Sequence, residues 1–280
     1  MKILVVGSGV MGTGIAYAAA ISGFETTIHD VSNESLKKAE SSITDLLSRQ
    51  LAKGYLTEEQ KAFVENHLIY ETNLEKCAGD TDFVIEAVPE VKGIKQKVFE
   101  QLDRFTKKET LLATNTSTMS PTEIGSYTER PDKVIAMHFF NPVHRMKLVE
   151  IARGLETSDE TVEVVKDVAI KMQKDVVVIN EMPGFVTSRI SSLVGNEAFN
   201  MLMEGVGTPE EIDRAIELGL NYPMGPFKLG DLVGLDTRLN NLQYLHETLG
   251  ERFKPSPLLV KYVKAGRLGR KTGKGVYSYE

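Results

Sequence analysis

Ile3-Leu4-Val5-Val6-Gly7-Ser8-Gly9-Val10-Met11-Gly12 decides the fold. Four apolar residues in an unbroken run, closed by glycine, mark a strand buried on both faces, as in a parallel sheet. The glycines form G-x-G-x-x-G, Gly14 follows, and Met11 to Ser22 is an alanine-rich helical run ending at Gly23. Gly7 permits the tight turn, Gly9 lets backbone approach a pyrophosphate, and Gly12 permits close helix–strand packing. The helix would then turn free N–H groups toward the phosphates. Gly7, Ser8, Gly9, Val10, Met11 and Gly12 are therefore candidate cofactor-binding residues, with glycines of an ordinary turn as the competing reading.

A second strand, Glu25 to His29, ends at Asp30, 18 residues beyond Gly12. A carboxylate there takes the adenosine ribose hydroxyls and repels a 2′-phosphate, and Val31-Ser32-Asn33 brings no arginine to receive one. The pattern favours NAD over NADP. The plainer alternative makes Asp30 a cap for the next helix.

Outward from this βαβ opening, residues 32–66 read as two helices. Leu36, Ala39, Ile43, Leu46, Leu47 and Leu51 recur at helical spacing, Gly54 breaks the run, and Thr57-Glu58-Glu59-Gln60 resembles a capping box. We read the pair as a helical hairpin inserted into the fold, leaning over a ligand or partner. Strands are expected at 83–85, 111–113, 134–137, 147–151 and 176–179, with helices near 92–105 and 158–172. This alternation predicts an α/β domain with a mostly parallel sheet over 1–183. After Pro183-Gly184 no strand is convincing, and helical runs at 186–203, 209–217, 232–249 and 257–265 predict a smaller all-helical domain over 184–280. The run 186–203 is more apolar than one buried stripe requires, which suggests a face against a second subunit.

Composition narrows the function classes. Among 280 residues, 33 Lys and Arg stand against 39 Asp and Glu, a formal charge of −6. A mildly acidic chain offers no broad cationic surface for nucleic acid or an anionic membrane. Eight basic residues do cluster from Arg252 to Lys274, but helix and turn character argues for packing there rather than a nucleic-acid tail. The single cysteine, Cys77, excludes an internal disulfide and a multi-cysteine metal site, so a reducing cytoplasmic setting is expected.

Polar chemistry concentrates in Asn115-Thr116-Ser117 and His138-Phe139-Phe140-Asn141-Pro142. Both follow expected parallel strands, so both fall at the carboxyl edge where α/β sheets bind ligands. An imidazole there is suited to take a hydroxyl proton. Glu150 comes twelve residues after His138, and a hairpin-like return would set it beside the ring. A buried structural histidine and a surface glutamate are the alternative.

The chain resembles the 3-hydroxyacyl-CoA dehydrogenase family over essentially its full length, and in particular its short bacterial 3-hydroxybutyryl-CoA dehydrogenase branch. The resemblance rests on the glycine motif, on Ile85-Glu86-Ala87 with Glu90, and on Asn115-Thr116-Ser117. It also rests on His138-Phe139-Phe140-Asn141-Pro142-Val143 continued by Met146-Lys147-Leu148-Val149-Glu150, on Pro183-Gly184-Phe185-Val186, and on Tyr222-Pro223-Met224-Gly225-Pro226-Phe227. Asp231 with Gly234-Leu235-Asp236 and the closing Gly269-Arg270-Lys271-Thr272-Gly273-Lys274-Gly275 complete it. It implies a Rossmann-type domain followed by a helical dimerisation domain, hence a homodimer. It implies NAD as cofactor, no metal, and reversible oxidation of a short-chain 3-hydroxyacyl-CoA to a 3-ketoacyl-CoA. By the same resemblance His138 is the base, Glu150 its partner, and Ser117 contacts the reacting oxygen. Glu90, Lys95 and Asn115 lie around the nicotinamide half of the cofactor. Arg49 and Lys53 meet coenzyme A, and Asn141 joins the substrate-binding residues. Taken alone, Arg49 and Lys53 are two cations a helical turn apart, compatible with phosphates but also with a solvated face.

Two positions depart from the family pattern. Ser188 stands where relatives carry an asparagine that helps hold the substrate carbonyl, and serine donates with shorter reach. His144-Arg145 replaces a common Pro-Val and brings a cation near the site. The rivals to this reading are a dehydrogenase of small hydroxy acids without coenzyme A, and a non-catalytic NAD-binding descendant.

Overall fold

A computed structural model describes residues 1–279, which divide into two compact units, 1–181 and 182–279. In the first unit the strands are β1 (Lys2–Val6), β2 (Glu25–His29), β3 (Leu68–Glu71), β4 (Phe83–Glu86), β5 (Leu111–Thr114), β6 (Val134–Phe139), β7 (Leu148–Arg153) and β8 (Asp175–Asn180). Between them run α1 (Val10–Ile21), α2 (Asn33–Ala52), α3 (Glu58–His67), α4 (Leu74–Ala78), α5 (Lys92–Phe105), α6 (Pro121–Gly125) and α7 (Asp159–Lys171). One eight-stranded sheet has the order β3-β2-β1-β4-β5-β6-β7-β8, parallel at every pair except β6–β7. Order reverses at β1, so the carboxyl ends of β1 and β4 open the crevice where such sheets bind ligands.

Burial explains these elements. Ile3 to Val6 are at most 1% exposed, as are Phe83, Val84 and Ile85 on the neighbouring strand. Each such side chain contributes roughly 1.5–3 kcal/mol on leaving water. The hairpin helices start where local chemistry directs. Ser32 caps α2 by accepting from the Ser35 amide, and Thr57 with Gln60 forms a reciprocal capping box on α3. Leu36, Ala39, Ile43 and Leu47 face inward from α2.

Three expectations change. The hairpin is not an insertion: α2 and α3 constitute the crossover from β2 to β3. Strand β3 escapes the sequence pattern because it is a four-residue edge strand, partly exposed and continuous with the end of α3. His138 does not follow a strand but lies inside β6, one residue from its end.

The second unit carries α8 (Thr187–Met203), α9 (Pro209–Gly219), α10 (Pro226–Val233), α11 (Leu235–Leu249) and α12 (Pro257–Lys264). Helix α10 was not expected; it is eight residues long, and Gly234, at φ 107°, separates it from α11. Thr208 and Glu211 form the expected helix start as a capping box, with Pro209 in the first turn. Phe199, Phe227, Leu235, Leu242, Leu245, Phe253 and Leu259 form the core here. The basic terminal segment is engaged locally. Arg267 lies over the Tyr262 ring and Arg270 over Tyr279, while Lys271 pairs with Asp236 at 2.6 Å. Among the described residues no helix is long and apolar enough to cross a membrane.

Candidate active site

The antiparallel pairing of β6 with β7 sets the chemistry. Its register places Glu150 directly across from His138, and His138 Nδ1 lies 2.9 Å from Glu150 Oε2. Both are buried, at 7% and 1% exposure. A carboxylate can only accept, so Nδ1 carries the proton of this bond. The Phe140 ring lies 4.4 Å from the imidazole, centroid to centroid. Asn115, at the end of β5, braces the same strand: its Oδ1 accepts from the Phe139 amide at 2.9 Å. Lys174 pins the turn between β6 and β7, donating to the Val143 and Met146 carbonyls at 2.5 and 2.9 Å.

Beneath the next strand ends lies a buried charge network. Lys95 Nζ donates to both oxygens of Glu86 at 2.8 Å and pairs with Glu90 at 3.1 Å. Thr114 Oγ1 donates to Glu86 at 2.6 Å. Burial opposes the charge on Lys95, but the two carboxylates outweigh it and hold its ammonium above the usual range. Glu90 feels burial too, yet Lys95 and the Thr116 hydroxyl keep its carboxyl below the usual range. Glu90 accepts from the Thr116 and Thr118 hydroxyls and from the Ser117 amide, so it shapes the segment that carries Ser117. Lys95 is thus 1% exposed and spends its donors inside the protein, while Glu90, 35% exposed at its side chain, reaches the surface. In the sequence Glu86 stands out only as part of the Ile85-Glu86-Ala87 motif. Its role as the buried counter-ion emerges from a lysine nine residues away turning inward.

The glycine loop fits a dinucleotide. Gly7 has φ 103°, and a Cβ on Gly12 would stand 1.8 Å from the Gly7 carbonyl oxygen. At Gly9 a Cβ would meet nothing within 4 Å, and no side chain caps the start of α1. Open space beside uncapped N–H groups suits a phosphate. Asp30 does not cap α2; Ser32 does. Asp30 instead accepts from the Ser8 amide at 2.9 Å and hydroxyl at 2.8 Å, and from the Ser32 amide at 2.9 Å. Burial alone would raise its pKa, but these bonds prevail and lower it, so it is ionised at neutral pH.

A cavity of about 370 Å³ lies between α2, the start of α1 and the turn after β6. Ser8, Gly9 and Val10 of the glycine loop line one side of it, and Arg49, Asn141, Lys38, Ser42 and His144 line the rest. Lys53 does not; it terminates α2. Ser188 belongs to the helical unit, half-buried in the first turn of α8.

Models of the 3-hydroxyacyl-CoA dehydrogenase NAD-binding domain and C-terminal domain match residues 2–182 and 184–279. The chain belongs to the 3-hydroxyacyl-CoA dehydrogenase family. It is 46% identical over 280 residues to a probable 3-hydroxybutyryl-CoA dehydrogenase of Bacillus subtilis, covering all of this chain and 97% of that one. The human mitochondrial hydroxyacyl-coenzyme A dehydrogenase is 38% identical, with 99% and 91% covered. The crystal structure of (S)-3-hydroxybutyryl-CoA dehydrogenase from Ralstonia eutropha superposes with a TM-score of 0.95 at 40% identity, covering 100% and 99%. As a 3-hydroxyacyl-CoA dehydrogenase, the chain has a Rossmann-like NAD-binding domain and catalyses NAD-dependent oxidation of a CH–OH group.

Proposed function

We propose that the chain interconverts L-3-hydroxybutyryl-CoA and acetoacetyl-CoA, with His138 as the proton-transfer residue. The observation that carries this reading is the buried His138–Glu150 pair, Nδ1 to Oε2 at 2.9 Å. In oxidation His138 Nε2 accepts the proton of the C3 hydroxyl, and Glu150 steadies the imidazolium that forms. NAD, when bound, supplies the two-electron acceptor. Ser117, whose amide is tied to Glu90, offers its hydroxyl to the oxygen as carbonyl character develops, and Ser188 is assigned the same duty. In reduction the imidazolium returns the proton to the keto oxygen.

Gly7 to Gly12 and Asp30 are assigned to the adenosine and pyrophosphate, and Glu90, Lys95 and Asn115 to the nicotinamide side. Lys95 acts there through Glu90, because its own ammonium is occupied. Arg49 and Asn141 are assigned to the coenzyme A moiety through the cavity they line, with Lys53 at the end of the same helix. A homodimer fits the exposed apolar side chains Val186, Ile190 and Tyr222 beside a cavity of about 310 Å³ in the helical unit. A reducing cytoplasmic setting fits the lone Cys77, whose thiol burial pushes up to about 11.

The test is the initial rate of NADH oxidation with acetoacetyl-CoA, run beside NADPH and free acetoacetate. Turnover confined to the thioester, and faster with NADH, is expected. Equal turnover of the free acid would overturn the coenzyme A assignment in favour of a small hydroxy-acid dehydrogenase. Cofactor binding with no turnover of short or longer thioesters would favour a non-catalytic protein.

A further inference from the structure

The wall of the cavity between α2 and the turn after β6 contains an imidazole, His144, whose charged neighbours are all cations. His144 is half-buried, with the edge of Tyr17 against it at 6.4 Å between ring centroids. The charged groups that face it come from three places: Arg145 on its own turn, Lys174 from the segment between α7 and β8, and Arg49 from α2. Tyr17 from α1 is the other titratable neighbour, and burial keeps its phenol neutral. Among the described residues none of the three cations has a carboxylate at ion-pair distance. Arg49 donates to the Asp45 backbone carbonyl at 3.2 Å, and Lys174 to the carbonyls of Val143 and Met146. Lys38, on the same cavity wall, is by contrast paired with Glu34 at 2.7 Å.

We propose that His144 is a ligand-binding residue of this cavity and takes up a proton when a phosphate-bearing ligand occupies it. The proposal rests on the coenzyme A reading above and adds to it a residue and a linked proton. Burial, followed by Arg145, Lys174 and Arg49, holds the free imidazole below its ordinary pKa, so it is neutral when the cavity holds no anion. A phosphate offsets those cations, and charging the ring then adds one more charge-assisted N–H donor. By linkage, a ligand that promotes protonation binds more tightly as pH falls, by up to about tenfold per pH unit for one full proton.

The experiment is calorimetric titration of the protein with coenzyme A, both without NAD and with NAD saturating, between pH 5.5 and 8.5. It is repeated in buffers of different ionisation enthalpy, for the wild type, His144→Gln and His144→Asn. Thermal midpoints and NADH binding establish that each variant is folded. The phosphate monoester titrates near pH 6 by itself, but identically for all three proteins, so their difference isolates His144. Wild type is expected to take up more protons than either variant and to gain several-fold in relative affinity between pH 8 and 5.5. Inorganic pyrophosphate should reproduce the difference more weakly. Equal proton uptake with parallel affinity profiles would overturn the proposal and leave the coenzyme A reading standing. Failure of coenzyme A to bind the wild type at any pH would overturn both.

Discussion

The Lys95 ammonium lies 2.8 Å from each oxygen of Glu86, and neither side chain is more than 1% exposed. Such a pair resists the removal of either member more than it stabilises the fold, because the survivor is left charged and dry. Lys95→Met should therefore cost about 3–5 kcal/mol, read as a drop in denaturant midpoint. The double change Lys95→Met with Glu86→Leu should cost clearly less than Lys95→Met alone. An additive result would refute the coupling.

His138→Gln should lower kcat by roughly 10²–10⁴-fold while leaving NADH binding near normal, since it removes proton transfer rather than the cofactor cradle. Glu150→Gln keeps the shape but removes the charge that favours the imidazolium, and a loss on the order of 10²-fold is expected. Steady-state rates with acetoacetyl-CoA and a fluorescence titration with NADH check both. Unchanged kcat in either variant would dismiss the pair from the chemistry.

Gly9 and Gly12 predict opposite consequences for the same substitution. Gly12→Ala drives a Cβ into the Gly7 carbonyl, so the protein itself should lose at least about 2 kcal/mol. Gly9→Ala meets nothing, and Gly9 already has φ −66°, so the thermal midpoint should hardly move. NADH affinity should nevertheless fall, because the new methyl occupies the space left for phosphate. Matching midpoint losses in the two variants would contradict this.

Asp30 should govern both cofactor choice and a small part of the acid stability. Its carboxyl is held below the usual range by Ser8 and Ser32 against the opposing effect of burial. A lowered native pKa means stability present above the unfolded value and lost as pH falls through the native one. Asp30→Ser should flatten stability below about pH 4 relative to wild type, in urea titrations across pH. The same variant should reduce the kcat/KM preference for NADH over NADPH by about tenfold or more, as a fixed negative charge no longer meets the 2′-phosphate. An unaltered preference would assign discrimination elsewhere.

Much of this molecule is legible along the chain because its causes are local. The apolar run into Gly7, the spacing of Leu36, Ala39, Ile43 and Leu47, and the caps at Thr57–Gln60 and Thr208–Glu211 each act within a turn or two. Sequence alone therefore determined the α/β class, the change to helices after Pro183-Gly184, and the glycine loop with Asp30 at the second strand end. A separation of twelve positions from His138 to Glu150 allowed a hairpin return, but only the antiparallel register of β6 and β7 set them opposite each other on one face. Tertiary structure also decided that Lys95 points inward, that the two helices of residues 32–66 form a crossover, and that Lys174 pins the turn carrying His144. These outcomes depend on which distant groups share a dehydrated space. Desolvation and counter-charge are properties of the packed arrangement, and no local pattern of residues encodes them.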